Sequence, residues 1–86
     1  SKYCLILGAK SDIARAIAHV WAQNGYHLYL AGRKASSEIA PDVQDVSIRY
    51  GITAKALEFD ALAFETHDAF YAALEPKPDV VICVLG

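Results

Sequence analysis

Three short segments hold the residues with chemistry to offer: Gly8-Ala9-Lys10-Ser11-Asp12-Ile13-Ala14, Gly32-Arg33-Lys34 and Glu58-Phe59-Asp60-Ala61. The first lies where an apolar run, Tyr3 to Leu7, gives way to residues of helical spacing. At such a junction the free N–H groups of the first helical turn and the positive end of the helix dipole converge, and a pyrophosphate fits that field. Gly8 permits the tight turn that a Cβ would block. Lys10, Ser11, Asp12 and Ile13 carry the converging amides. Ala14 is small enough for the helix to lie close to a sheet. Ser11 or Asp12 can cap the helix. The Asp12 carboxylate is accommodated if it turns back to cap, and it repels a phosphate if it turns outward. In the second segment Arg33 offers a planar fork of donors, and Lys34 and Lys10 add charge. The third places an acceptor, Asp60, at a strand end. Each segment also has a plain reading: a strand-to-helix turn, a solvated Arg-Lys turn, and a helix or loop cap.

These segments need a frame of alternating strands and helices. Tyr3 to Leu7 is a continuous apolar run, as in a strand covered on both faces. Ile13, Ile17, Val20 and Trp21 recur near every 3.6 residues and predict one apolar helix stripe, ended by Asn24-Gly25 with Gly25 as a left-handed cap. His27 to Ala31 reads as a second strand. Ile39, Val43, Val46 and Tyr50 mark a second helix, with Pro41 in its first turn and Gly51 closing it. Lys55 to Phe59 is a third strand. Thr66 to Leu74 is a third helix with Thr66 as its cap, served by Glu65 and Asp68. Pro76 and Pro78 bar further helix, and Val80 to Val84 is a fourth strand. The order β-α-β-α-β-α-β implies parallel pairing through right-handed crossovers. The expected fold is α/β, a Rossmann-like half with four parallel strands in the order 3-2-1-4 and three helices. A flavodoxin-like domain shares the element order but needs a fifth strand and helix.

The bulk numbers agree with one domain spanning 1–86. Hydrophobic residues make up 55% and charged residues 21% of the chain, enough to fill a core and unlike a disordered segment. A net charge of -2 argues against a basic nucleic-acid face or a polybasic membrane segment. No apolar run approaches the ~20 residues that span a bilayer. Cys4 and Cys83 both fall in apolar runs and read as small buried hydrophobes in a reducing cytosol. The chain begins at Ser1 and has no Met, so it reads as a piece of a longer protein, without a secretory leader.

The combination of spacings resembles the short-chain dehydrogenase/reductase family over the whole chain. That family opens with Thr-Gly-x-x-x-Gly-x-Gly. Gly8 matches its first glycine, while Asp12 and Ala14 stand at the second and third and Leu7 replaces the Thr. The resemblance implies binding of a nicotinamide dinucleotide. In NAD-dependent members an acidic residue follows the first glycine by 24 positions, and here that count lands on Gly32, followed by Arg33. Ala-Gly-Arg at this place is similar to the NADP-preferring members and implies that Arg33, with Lys34 or Lys10, meets the 2′-phosphate. The resemblance also implies that Asp60, next to Ala61, bonds the adenine amino group. Gly86, in place of the last residue of the family's Asn-Ala-Gly, would let the backbone pass the cofactor. Val84 and Leu85 replace its Asn and Ala, as in a divergent member.

The family's chemistry uses a Ser and a Tyr followed four residues later by Lys, and none of Tyr3, Tyr26, Tyr29, Tyr50 or Tyr71 has that partner. These tyrosines read as core or boundary residues, and His19, His27 and His67 lack metal-ligand spacing. The expectation is the NADP(H)-binding part of an oxidoreductase acting on a small carbonyl or alcohol, inactive as these 86 residues alone. A non-catalytic NADP sensor and an α/β interaction module that binds no nucleotide stay open. The third helix stands alone on its sheet face and the fourth strand is an apolar edge, so self-association is expected.

Overall fold

The computed structural model of the chain describes residues 1–84. Strands β1 (Tyr3–Leu7), β2 (His27–Gly32), β3 (Ala54–Glu58) and β4 (Val80–Cys83) form one parallel sheet in the order β3-β2-β1-β4. Cys4 pairs with Leu28 on one side and Val80 on the other, and Leu28 pairs in turn with Ala54. The helices are α1 (Asp12–Gln23), α2 (Ala40–Tyr50) and α3 (His67–Ala72). A π-helical turn, Ala35–Ile39, leads into α2, and a 3-10 turn, Phe64–Thr66, leads into α3. The expected fold class and strand order are those observed. Among the described residues no helix is long and apolar enough to cross a membrane.

Alternation along the strands divides the core into two layers. Cys4, Ile6, Leu28 and Leu30 face α1 and α2, where they pack with Ala14, Ala18, Ala22, Ile39 and Val46. Leu5, Tyr29 and Ala31 face the other way, toward Phe59, Phe70 and Leu74. Burying a side chain the size of Leu5, Ile6 or Leu28 contributes about 1.5–3 kcal/mol, so these central strands dominate the stability. Tyr29 stacks on Tyr3 with ring centroids 4.9 Å apart and donates its hydroxyl to the Pro76 carbonyl at 2.7 Å, which pins the approach to β4.

Four expectations change. The buried stripe of α1 is Ala14, Ala18 and Ala22, with Ile17 and Trp21 on its flanks; Ile13 is 68% and Val20 57% exposed. Small residues let the helix axis approach the sheet, and that closeness turns the larger Ile13 and Val20 outward. The third helix is short, and Thr66 does not cap it, because the Thr66 hydroxyl donates to the Ala63 carbonyl at 2.6 Å. Cys4 is buried but Cys83 is exposed: β4 is an edge strand whose alternate residues, Val81 and Cys83, lie open on the α3 side. Tyr71 is 44% exposed and sits on the surface of α3, whereas Tyr29 is core. The turn signals of Gly25 and Gly51 hold, at φ +85° and +66°.

Candidate functional site

The carboxyl ends of the four strands open on one cleft of about 510 Å³. Gly8 and Lys10 line it after β1, Gly32 and Arg33 at the end of β2, Phe59 to Leu62 after β3, and Val84 after β4. Open α/β sheets bind ligands at this place, where the chain leaves neighbouring strands in opposite directions. A second hollow of about 400 Å³ adjoins it through Lys10, Arg33 and Asp60, and adds Lys34, Glu38 and Glu58.

Local chemistry fixes each wall. Gly8 has φ +81°, and its N–H and that of Ala9 both donate to the Ala31 carbonyl, at 2.9 and 3.1 Å. The loop is thereby tied to the end of β2, and these two amides are used internally. The next ones are not: no acceptor among the described residues meets the N–H of Lys10, Asp12 or Ile13. Ser11 is the N-cap of α1, its hydroxyl accepting from Ala14 N–H at 3.1 Å. Asp12 therefore does not cap. Its carboxylate is exposed and takes Arg15 Nη1 at 3.2 Å, away from the residues that line the cleft. Arg15 also donates Nε to Asp42 at 2.9 Å, joining α1 to α2, and this bond and charge, Asp42 first and Asp12 second, push the guanidinium pKa up.

On the far wall, a Cβ at Gly32 would meet Ile39 Cδ1 at 3.0 Å, so a larger residue there would require the buried Ile39 side chain to give by a few tenths of an ångström. Arg33 is exposed, lines both hollows and has no ion pair among the described residues. Lys34 takes a left-handed conformation at φ +56°, uncommon for a residue with a Cβ. Its N–H and that of Ala35 donate to Glu58, at 3.1 and 3.0 Å, so Glu58 closes the start of the π-helical turn. Lys10 Nζ donates to Glu38 at 3.1 Å, and Lys34 Nζ stands 4.0 Å from the same carboxylate. The Lys10 hydrogen bond holds the Glu38 carboxyl below the usual carboxylate range. Asp60 accepts the Leu62 N–H at 2.9 Å through one oxygen, the loop-cap role, and also lines both hollows. Phe59 lies at van der Waals range between His67 and Phe70, with centroids 4.7 and 4.9 Å away, and anchors this wall to α3.

Of the residues singled out from the sequence, Gly8, Lys10, Arg33, Asp60 and Ala61 meet in the cleft and Lys34 in the adjoining hollow. Ser11, Asp12 and Ile13 do not line it; they stand at the start of α1. Gly86 lies outside the described residues. The sequence reading passed over Gly32 as a wall, Phe59, Glu38 and Glu58. Glu38 had a signal, its place four residues after Lys34; Glu58 had none until sheet register set it opposite Gly32. Among the described residues no group of three His, Cys, Asp or Glu side chains could hold a metal ion.

No family model matches the chain, and no curated protein matches it. Among solved structures it is similar to a short-chain dehydrogenase from Sphingobium yanoikuyae in complex with NADPH, with a TM-score of 0.79 and 23% identity over 96% of this chain. The match takes in 32% of that enzyme, so the chain spans about a third of its length. Over that span the chain has the fold of the N-terminal portion of a short-chain dehydrogenase.

Proposed function

We propose that the chain is the NADP(H)-binding part of an oxidoreductase of the short-chain dehydrogenase/reductase type, which exchanges hydride with a small carbonyl or alcohol. The observation that carries this is Arg33, without an ion pair among the described residues at the tip of β2 and lining both hollows, directly after Gly32, which stands in the register where an acidic residue would favour NAD. The cleft volume falls in the range of small-molecule sites, and the residues around it suit the cofactor's charges. The amides of Lys10, Asp12 and Ile13 would take the pyrophosphate with the α1 dipole behind them. Arg33 and Lys34 would take the 2′-phosphate, and the second oxygen of Asp60 the adenine amino group, beside Ala61. The nicotinamide, when bound, supplies or accepts the hydride. The NADPH complex of the similar dehydrogenase supports the same reading. These 86 residues hold no Tyr-x-x-x-Lys pair and are proposed to be inactive by themselves. A cytoplasmic setting and association of copies through the α3 face belong to the same proposal.

The test is equilibrium titration with NADPH and NADH, for the wild type and Arg33→Ala. One or two charge-assisted bonds of about 1.5–3 kcal/mol predict roughly tenfold to a few hundredfold preference for NADPH in the wild type, lost in the variant. Comparable affinities for both nucleotides in the wild type would remove the role of Arg33.

A further inference from the structure

The hollow beside the cleft is charge-balanced: Lys10, Arg33 and Lys34 face Glu38, Glu58 and Asp60. The three carboxylates are not equivalent. Glu58 is held by two backbone amides and Asp60 by one, so both use donors that are not cationic side chains. Glu38 alone draws on the cations, with Lys10 at 3.1 Å and Lys34 at 4.0 Å. It is carried on the π-helical turn Ala35–Ile39, directly after left-handed Lys34, and that turn is fixed at its start by the two amide bonds to Glu58. Resting on the nucleotide reading above, we propose that Glu38 is a specificity-determining residue: by holding Lys10 in the wall of the hollow, it limits how strongly the site selects a ribose 2′-phosphate.

The pair is a poor stabilising device. Both side chains keep a third or more of their exposure, 34% for Lys10 and 44% for Glu38, and exposed pairs contribute little to folding. Its effect on an incoming dianion is direct. Glu38 both occupies the Lys10 ammonium and adds a like charge beside the place the phosphate would take. Removing the carboxylate frees one cation and leaves the hollow with a net positive charge.

The experiment is calorimetric titration with adenosine 2′,5′-bisphosphate and with adenosine 5′-monophosphate, which differ only in the 2′-phosphate. The wild type, Glu38→Gln, Lys10→Met and the double variant are compared. Glu38→Gln is expected to tighten the bisphosphate by about three- to tenfold and the monophosphate by less than about twofold. It should also steepen the salt dependence of bisphosphate binding. In the Lys10→Met background the gain should shrink to the part that comes from the like charge alone. An unchanged bisphosphate-to-monophosphate ratio, equal tightening of both, or a gain undiminished without Lys10 overturns the role of Glu38. A wild type that selects the bisphosphate while Glu38→Gln leaves the ratio alone sinks this inference only. Failure of every form to bind either probe sinks it together with the nucleotide reading.

Discussion

At the scale of single residues, the two cysteines show how far a local pattern reaches. Cys4 and Cys83 sit in equally apolar runs, yet Cys4 lies in β1 between two strands and Cys83 in the edge strand β4. Burial pushes the Cys4 thiol up to about 11, so it carries almost no thiolate at neutral pH and no reagent can reach it. A thiol reagent applied to the native protein should modify one cysteine quickly, and the second only on denaturation. Cys83→Ser should abolish the fast phase, and two fast equivalents would contradict the burial of Cys4. The site was legible on the same terms. Gly8, Lys10, Arg33, Asp60 and Ala61 each stand within a few residues of a strand end, so strand order alone brings them together. Glu38 and Phe59 were not legible, because their roles depend on contacts across loops, the first with Lys10 and the second with His67 and Phe70.

At the scale of elements, hydrophobic spacing located every strand and helix, and it misjudged one face. The stripe through Ile13, Ile17, Val20 and Trp21 is the more hydrophobic choice for α1, but the helix buries Ala14, Ala18 and Ala22 instead. Periodicity weighs hydrophobicity and cannot weigh interaxial distance. Here the loop after β1 is tied to β2 through the Ala31 carbonyl, and the fully buried positions of α1 are all alanines, with Ile17 and Trp21 packing at the flanks. Ala18→Leu therefore inserts volume into a close-packed contact and should cost about 1–3 kcal/mol. In a domain of this size each kcal/mol lowers the Tm by about 4–8 °C. Val20→Ala on the exposed face should stay within about 0.5 kcal/mol. Thermal melts of the two variants decide between the faces: if Val20→Ala costs more than Ala18→Leu, the packing of α1 described above is wrong. The third helix was expected over Thr66 to Leu74 and is shorter for a related reason, since Thr66 spends its hydroxyl on Ala63 and the chain enters the helix through a 3-10 turn.

At the scale of the whole molecule, the strand order could be read because three helices between four strands leave few right-handed solutions. The core that results carries two titratable groups whose neutral forms are favoured by burial, Cys4 and Tyr29. Both folded-state pKa values are raised: the Cys4 contribution is complete below the unfolded thiol value of 9.0 and is lost as pH climbs through about 11, and that of Tyr29 is likewise lost only on the alkaline side. Melting temperature should be insensitive to these groups near neutrality and fall in that alkaline window; a flat profile through it would contradict their burial. The two sheet faces are unequally covered. α1 and α2 lie over one, while on the other α3 leaves Val81 51% exposed beside a shallow apolar groove lined by Leu7, Phe70 and Tyr71. Val81 belongs to β4, whose outer edge has no strand partner among the described residues, and an edge with apolar flanks is a template for pairing with another copy. Sedimentation equilibrium should therefore give a mass above the 9.3 kDa of one chain, rising with concentration. Val81→Lys places a charge where edge strands commonly carry one, and should return the protein to a monomer with an unchanged far-ultraviolet circular dichroism spectrum. A wild type that stays monomeric at every concentration would mean that the open face of α3 and β4 does not draw copies together.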